Sequence, residues 1–259
     1  MPGGVVILDS FRLDGRVALV TGSRRGLGRA AALALAEAGA DLVLVDRGEA
    51  TETVARALAL GRRVHAVHCD LSSVTPAELH RVVADATESL GAVDILVNNA
   101  GMIRRHPAAD YPAEDWDEVL TVDLDAVFHL SQAAGRRMLD RGWGRIINIA
   151  SMLSFQGGRF VPAYAAAKHG VAGLTKAMAN EWTARGVTVN AIAPGYMATD
   201  NTAALRADAE REASIVARIP AGRWGTPADL QGAVVFLASE AAAYVSGAVL
   251  PVDGGWLAS

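Results

Sequence analysis

The sequence Thr21-Gly22-Ser23-Arg24-Arg25-Gly26-Leu27-Gly28 joins a predicted strand at residues 16–20 to a predicted helix at residues 26–38. Glycines let the backbone turn tightly and approach a pyrophosphate, to which a helix N-terminus offers unpaired N–H groups. The spacing is Gly-x3-Gly-x-Gly rather than the more familiar Gly-x-Gly-x-x-Gly. Taken alone, such a loop could be only a tight connection between a strand and a helix. The residue that ends the next strand favours a pyrophosphate-binding loop over a mere connection.

Asp46 ends the predicted second strand, 18 residues after Gly28. An acid about 20 residues beyond such a loop is expected to bind the adenosine ribose. An ionised aspartate there accepts hydrogen bonds from both ribose hydroxyls and repels a 2′-phosphate, which favours NAD. Arg25 and Arg47 oppose this preference, because either arginine could pair with a 2′-phosphate. The sequence therefore predicts a dinucleotide site that takes NAD, with NADP as the less favoured alternative.

Predicted strands alternate strictly with predicted helices along the chain. Apolar strands in this pattern are typical of a parallel sheet covered by helices on both faces. We therefore expect one α/β domain over residues 1–259, a Rossmann-type doubly wound parallel sheet of about seven strands. The irregular stretch 194–223 interrupts the pattern and is predicted to be a substrate lid. Strands are predicted at 16–20, 41–46, 63–68, 93–97, 144–150, 187–192 and 248–252, and helices at 26–38, 49–60, 76–90, 114–139, 162–185 and 227–238.

Composition narrows the function classes. The net charge is −4 and no basic patch stands out, so nucleic-acid binding is not expected. The single cysteine, Cys69, permits no internal disulfide and no cysteine-based zinc site, and the histidines lack metal-ligand spacing. The sequence contains no stretch of about 20 apolar residues, so no membrane span is expected. Residues 1–9 lack the features of a signal peptide. We expect a cytoplasmic protein without a metal.

Tyr164 and Lys168 lie four residues apart on a predicted helix, so their side chains share one face. A nearby cation favours the phenolate and can lower a tyrosine pKa by roughly 1–3 units. The phenol then becomes a general acid or base near neutral pH. Ser151, a short loop upstream, could hold a carbonyl or alcohol oxygen. This trio suits proton exchange with an alcohol or ketone, although Tyr and Lys at this spacing are also common as a surface pair.

Several motifs together resemble the short-chain dehydrogenases/reductases. They are the glycine loop, Asn98-Asn99-Ala100-Gly101, Ser151, Tyr164-x3-Lys168 and Pro194-Gly195. The resemblance implies that Tyr164 is the acid/base, that Lys168 lowers its pKa and that Ser151 orients the substrate oxygen. It also implies a homotetramer, with which the apolar end of the chain, residues 244–256, agrees. The implied cofactor contacts are Thr21, Gly22, Ser23, Arg25, Gly26, Leu27, Gly28, Asp46, Arg47, Asp70, Leu71, Asn98, Ala100, Gly101, Tyr164, Lys168, Pro194, Gly195, Met197 and Thr199.

Asp123 departs from the family pattern, which has asparagine at this helix position. In the family that asparagine helps to hold a water in a proton relay behind the lysine. An aspartate can still accept a hydrogen bond, and its charge would stabilise Lys168 as a cation. The resemblance therefore places Asp123 in the catalytic group, and the alternative is a helix aspartate that serves only as a structural acceptor.

Longer stretches resemble the sugar-acid branch of the family, which interconverts 2-keto-3-deoxygluconate and 2,5-diketo-3-deoxygluconate. They are residues 101–105, 149–158, 179–182, 190–201, 219–225 and 253–257. A sugar-acid carboxylate suits an arginine clamp, so the substrate contacts are predicted to be Arg104, Arg105, Gln156 and Arg159, together with Ser151. The alternatives are gluconate 5-oxidation, another polyol, 3-oxoacyl reduction with NADPH, or a protein that binds NAD without turnover.

Overall fold

A computed structural model describes residues 6–259, apart from the side chain of Asn201. Within these residues, seven parallel strands form one sheet in the order β3-β2-β1-β4-β5-β6-β7. The expected single-domain doubly wound fold is confirmed, and residues 1–5 of the predicted domain lie outside the described part. The strands are β1 Val17–Thr21, β2 Asp41–Asp46, β3 Val64–His68, β4 Ile95–Asn98, β5 Gly144–Ile149, β6 Val187–Pro194 and β7 Val249–Val252.

Helices cover both faces of the sheet. On one face, α1 and α9 pack together, with side chains such as Leu35 and Val234 in one apolar cluster. On the other face, α3, α5 and α6 cover the strands through a second cluster that includes Val83, Leu130 and Met178. The helices are α1 Gly26–Glu37, α2 Thr51–Ala59, α3 Pro76–Leu90, α4 Ala113–Leu120, α5 Ala126–Arg141, α6 Pro162–Trp182, α7 Ala203–Arg206, α8 Ala209–Val216 and α9 Pro227–Ala238.

The long helix predicted at 114–139 is interrupted. A π-helical turn, Thr121–Asp125, separates α4 from α5 and buries Val122 and Asp123. An inserted π turn is rare and frequently lies at a functional site, since it rotates side chains that a regular helix would place elsewhere. The apolar pattern runs on through this segment, which is why the sequence alone indicates one continuous helix.

The stretch after β6 contains a 3₁₀ turn, Asp200–Thr202, followed by α7 and α8. It is anchored through an apolar cluster in which Ile215, Ile219 and Trp224 pack with Trp256 from the end of the chain. Within residues 6–259, no helix is long and apolar enough to cross a membrane. The same residues contain no cluster of three or more His, Cys, Asp or Glu side chains arranged for a metal ion.

Candidate active site

A cavity of about 450 Å³ opens where the carboxyl ends of β1, β2 and β4 meet. Strands β2 and β3 are added on one side of β1 and strands β4 to β7 on the other, so the strand order switches between β1 and β4. Crevices at such switch points bind ligands in open α/β sheets. Most residues predicted from the sequence line this one cavity. They are Gly22, Arg25, Gly26, Leu27, Gly28, Asp46, Arg47, Asp70, Leu71, Ala100, Gly101, Arg104, Asp123, Tyr164, Lys168 and Thr199.

The three glycines of the loop at the cavity floor meet backbone or steric requirements that other residues would not. Gly22 and Gly26 have φ angles of +65° and +57°, in the left-handed region that favours glycine. A Cβ on Gly28 would collide with the Gly22 carbonyl oxygen and the Asn99 amide. Because Gly26 opens α1, the free N–H groups of that helix end face the cavity. This cradle fits the pyrophosphate of a dinucleotide.

Asp46 lies beside the loop and is already hydrogen-bonded. Its carboxylate accepts the backbone N–H groups of Arg24, at 2.9 Å, and Gly48, at 3.1 Å. The Arg24 guanidinium Nε lies 3.6 Å from the same carboxylate. Arg25 instead pairs with Asp200 at 2.7 Å, across the cavity mouth. Sequence reasoning singled out Arg25 and missed Arg24, and only the loop conformation tells these neighbours apart.

Six predicted cofactor residues do not line this cavity. Thr21 binds the loop after β4, since its hydroxyl accepts the N–H groups of Asn99 and Ala100. Asn98 donates to the side chains of Ser131 and Asn148, each at 2.9 Å, in the sheet interior. The remaining four lie close by without reaching it: Ser23 is buried against Val45, Pro194 ends β6, and Gly195 and Met197 line a separate cavity of about 380 Å³.

Lys168 and Asp123 form a buried ion pair in the wall of the cavity. Their charged atoms are 3.2 Å apart and both side chains are almost fully buried. Lys168 also donates to the Ile149 carbonyl at 2.9 Å, and Asp123 accepts the Met102 N–H at 2.8 Å. Burial acts to lower the pKa of Lys168, but the charges of Asp123 and Tyr164 outweigh it and raise that pKa. The lysine is therefore held as a cation.

Tyr164 lies one helical turn before Lys168 on α6, and the Lys168 ammonium is 5.5 Å from the centre of the Tyr164 ring. Surrounding protein raises the pKa of the Tyr164 phenol above its ordinary value. Lys168 acts in the expected lowering direction, assisted by Ser151 and Arg105, whereas Asp123 opposes it. Lys168 therefore acts on the phenol as expected, but desolvation exceeds the attraction of a cation that Asp123 already neutralises, so the pKa of Tyr164 is raised in this structure.

Ser151 does not line the cavity itself, but its hydroxyl interacts with Tyr164, and it lies directly before a 3₁₀ turn, Met152–Ser154. Its Oγ accepts the Leu153 N–H at 3.1 Å, which fixes the side-chain rotamer. The Ser154 hydroxyl donates to the Lys168 carbonyl at 2.6 Å and accepts the Ser151 N–H at 3.3 Å. Ser154 thus ties the Ser151 loop to the helix that carries Tyr164 and Lys168. This role of Ser154 could not be predicted from the sequence, because no local pattern links a loop serine to the carbonyl of a residue 14 positions away.

The two candidate arginines after β4 differ in their partners. Arg104 lies 2.7 Å from Glu118 and 3.4 Å from Asp115, so two carboxylates neutralise it. Arg105 is exposed, does not line the cavity and has no ion pair among residues 6–259; its charge is the weakest of the influences that lower the pKa of the Tyr164 phenol. Gln156 and Arg159, on the loop after Ser151, do not line the cavity, and Arg159 stacks near the Phe160 ring.

Comparison with known proteins agrees with this geometry. A family model described as enoyl-(acyl carrier protein) reductase matches residues 22–257. The 2-dehydro-3-deoxy-D-gluconate 5-dehydrogenase of Escherichia coli is 54% identical over 98% of this chain and 100% of its own. The chain belongs to the short-chain dehydrogenase/reductase family. It is an NAD(P)-dependent oxidoreductase that acts on CH–OH groups, as the sequence motifs predict.

Solved members of the family share the whole fold. The structure of a candidate 2-deoxy-D-gluconate 3-dehydrogenase of Agrobacterium tumefaciens with bound NADP is 52% identical, with a TM-score of 0.91 over 96% of this chain and 99% of that one. A gluconate 5-dehydrogenase of Burkholderia cenocepacia in complex with NADP and tartrate is 42% identical, with a TM-score of 0.93 over 98% and 100%. The sheet and helices described above are therefore the family's architecture.

Proposed function

We propose that this enzyme interconverts 2-keto-3-deoxygluconate and 2,5-diketo-3-deoxygluconate with NAD as the hydride carrier. The observation that carries this substrate class is Arg105, an exposed cation without an ion pair among residues 6–259, whose charge lowers the pKa of the Tyr164 phenol. A substrate whose reacting carbon is at Tyr164 can direct its carboxylate to Arg105, which binds carboxylates bidentately. The identity of 54% to the Escherichia coli 2-dehydro-3-deoxy-D-gluconate 5-dehydrogenase supports the same substrate.

In this proposal Tyr164 moves the proton and Ser151 holds the reacting oxygen. In oxidation the phenolate takes the hydroxyl proton, and in reduction the phenol donates a proton to the carbonyl oxygen. The nicotinamide supplies the hydride chemistry when the cofactor is bound. Ser151 is suited to orientation because its rotamer is fixed by the Leu153 N–H. Lys168 stabilises the phenolate, and Asp123 keeps Lys168 charged.

The cavity supports a dinucleotide with a free 2′-hydroxyl. Asp46 is ionisable and faces the cavity at the end of β2. A carboxylate has about four lone-pair sites, and two backbone N–H groups occupy only part of this capacity. Asp46 can therefore still accept hydrogen bonds from the ribose hydroxyls. Arg24, Arg25 and Arg47 also line the cavity and support NADP as the second cofactor candidate, as does the NADP bound by the Agrobacterium relative.

The segment 194–223 is proposed to be the substrate lid. Thr199 and Asp200 from this segment line the cavity, and Asp200 pairs with Arg25 on the opposite side. At its far end, Arg223 forms two hydrogen bonds to Asp229, at 2.9 and 2.8 Å, on the first turn of α9. The lid is thus fixed at its end and held across the cavity by one exposed ion pair.

Gluconate 5-dehydrogenation is the second candidate, supported by the likeness to the Burkholderia enzyme. The test follows NADH absorbance with purified protein and a panel of sugar acids and their keto forms, repeated with NADPH. We expect turnover of the keto-deoxygluconate pair with NADH. Turnover of gluconate alone would overturn the substrate, and activity with NADPH alone would overturn the cofactor. Binding of NADH without turnover of any alcohol or ketone would instead favour a sensing protein.

A further inference from the structure

Arg206 is a partly buried cation in the segment 194–223 that has no counter-ion among the side chains the structure describes. It ends the single-turn helix α7, and its guanidinium donates a hydrogen bond to the Thr199 carbonyl at 3.1 Å. The Arg206 Nε is buried and has no hydrogen-bond partner among the described residues. A guanidinium carries five N–H donors, so the protein leaves most of the binding capacity of this arginine unused.

The acids nearest to Arg206 in the chain already have other partners. Asp200 pairs with Arg25 at 2.7 Å. Asp208 accepts the Arg211 N–H at 3.1 Å, at the start of α8. Charged side chains that leave the solvent are normally paired, because a counter-charge or hydrogen bonds must offset the lost hydration. A guanidinium that is partly buried without such a pair therefore indicates a site for an anion that comes from outside the chain.

The position of Arg206 connects this anion site to the cavity. Thr199, whose carbonyl accepts the hydrogen bond from Arg206, lines the cavity together with Tyr164. Arg206 itself is not part of the lining, so Thr199 separates the guanidinium from the cavity. The preceding residue, Leu205, packs against the apolar cluster that contains Trp224. Because α7 is anchored there, the long arginine side chain can turn past Thr199 without movement of the helix.

We propose that Arg206 is a specificity-determining residue that binds the carboxylate of the substrate from the lid side of the cavity. Its guanidinium turns past Thr199 and donates two parallel hydrogen bonds to the carboxylate, for which its planar fork is suited. Arg105, on the loop after β4, supplies the second cation. An acid thus provides the counter-charge that Arg206 lacks, whereas an uncharged polyol does not. This inference rests on the proposed sugar-acid function of the site.

The test compares a sugar acid with a neutral polyol of similar size, used as substrate or as competitive inhibitor. Arg206→Gln removes the charge and keeps an N–H donor for the Thr199 carbonyl. We expect the KM of the sugar acid to rise about tenfold or more, the loss typical of a charged hydrogen bond. The KM or inhibition constant of the polyol, and the Kd of NADH from fluorescence, should each change by less than about threefold. Arg211→Gln, which removes an exposed charge from the same segment, is the control and should change none of these values.

Thermal unfolding of the ligand-free protein separates binding from a structural role. Removal of a charge that lacks a partner should leave the Tm of Arg206→Gln unchanged or raise it, whereas loss of a structural contact lowers the Tm. A lower Tm together with equal losses for the acid and the polyol would overturn the inference.

An unchanged KM for the sugar acid in Arg206→Gln, while the unmodified protein turns that acid over, would overturn the role of Arg206 and leave the proposed function standing. Weaker binding of NADH with an unchanged KM for the acid would overturn it as well, because the anion would then be a phosphate of the cofactor. Faster turnover of the polyol than of any sugar acid by the unmodified protein would instead overturn the proposed function, and this inference with it.

Discussion

At the scale of single residues, the most consequential feature is Asp123, whose carboxylate forms a buried ion pair with Lys168. Its charge keeps Lys168 a cation and simultaneously raises the pKa of the neighbouring Tyr164. The aspartate therefore has two opposite consequences for proton transfer, because it stabilises the cation and weakens the field that the cation exerts on the phenol. The usual family residue, asparagine, would hold the Met102 N–H without this charge.

Asp123→Asn should move the pH dependence of oxidation. Oxidation requires the phenolate, so its rate rises with pH through the pKa of Tyr164, and removing a charge that raises this pKa should shift the rise to lower pH. The measurement is kcat against pH in both directions. Asp125→Asn, an exposed change on the same turn, should leave the profile unmoved. A shift of the Asp123→Asn profile to higher pH would contradict the electrostatic account.

Arg105→Ala should raise the KM for the sugar acid by about tenfold or more, as expected for loss of a charged hydrogen bond, with a smaller effect on kcat. A neutral polyol of similar size should show no change, because it has no carboxylate for Arg105 to bind. The control is Arg136→Ala, on the exposed face of α5. An unchanged KM for the sugar acid would assign the carboxylate to another residue.

At the scale of elements, sequence signals predicted some boundaries to the residue. The helix α3 begins and ends as predicted because Thr75 and Glu78 form a reciprocal cap at its start and Gly91 adopts a left-handed conformation at its end. The π turn at Thr121–Asp125 carries no such signal, since its sequence suits a regular helix. The turn contains Asp123, which pairs with Lys168 at 3.2 Å, a contact between residues far apart in the chain.

The candidate site, like the helices, could be predicted from the sequence only where its signals are local. Residue types and spacing located the glycine loop, Tyr164 and Lys168, because each motif is local. The different partners of Arg104 and Arg105, and the contact of Arg24 with Asp46, follow from loop conformations that no local pattern specifies. The direction of the Tyr164 pKa shift likewise depends on how much protein surrounds the phenol, which is a property of the folded structure.

The start of α1 tolerates no side chain at Gly28. Gly28→Ala should weaken binding of the dinucleotide by tenfold or more and lower the free energy of unfolding by about 1–3 kcal/mol, because the loop must move to avoid Gly22 and Asn99. Gly232→Ala, on an exposed part of α9 with open space around it, is the matched control. It should stabilise the protein by about 0.5–1 kcal/mol. Normal binding by Gly28→Ala would mean that the loop does not cradle the ligand.

At the scale of the whole molecule, the apolar C-terminal end has two different environments. Trp256, one reason to expect association, is buried against its own chain and packs edge-to-face with Tyr196, with 4.9 Å between ring centres. Tyr244 is wholly exposed, and β7 is an edge strand with partly exposed residues. An open edge of this kind is normally covered, so the homotetramer stays a prediction that rests on Tyr244 and β7.

Light scattering at micromolar protein should therefore give the mass of four chains of 27.0 kDa each. Tyr244→Asp, which places a charge on the exposed surface, should shift the distribution towards smaller species. A monomer mass for the unmodified protein would contradict the tetramer.

In the mechanism that we propose, Tyr164 transfers the proton, and Lys168 and Asp123 hold the charges beside it. The most direct test measures turnover of the keto-deoxygluconate pair with NADH by Tyr164→Phe, together with NADH binding by fluorescence. The phenyl ring preserves packing and removes only the hydroxyl, so we predict near-normal binding and a loss of turnover by several orders of magnitude. Near-normal turnover in this variant would contradict the acid/base role of Tyr164.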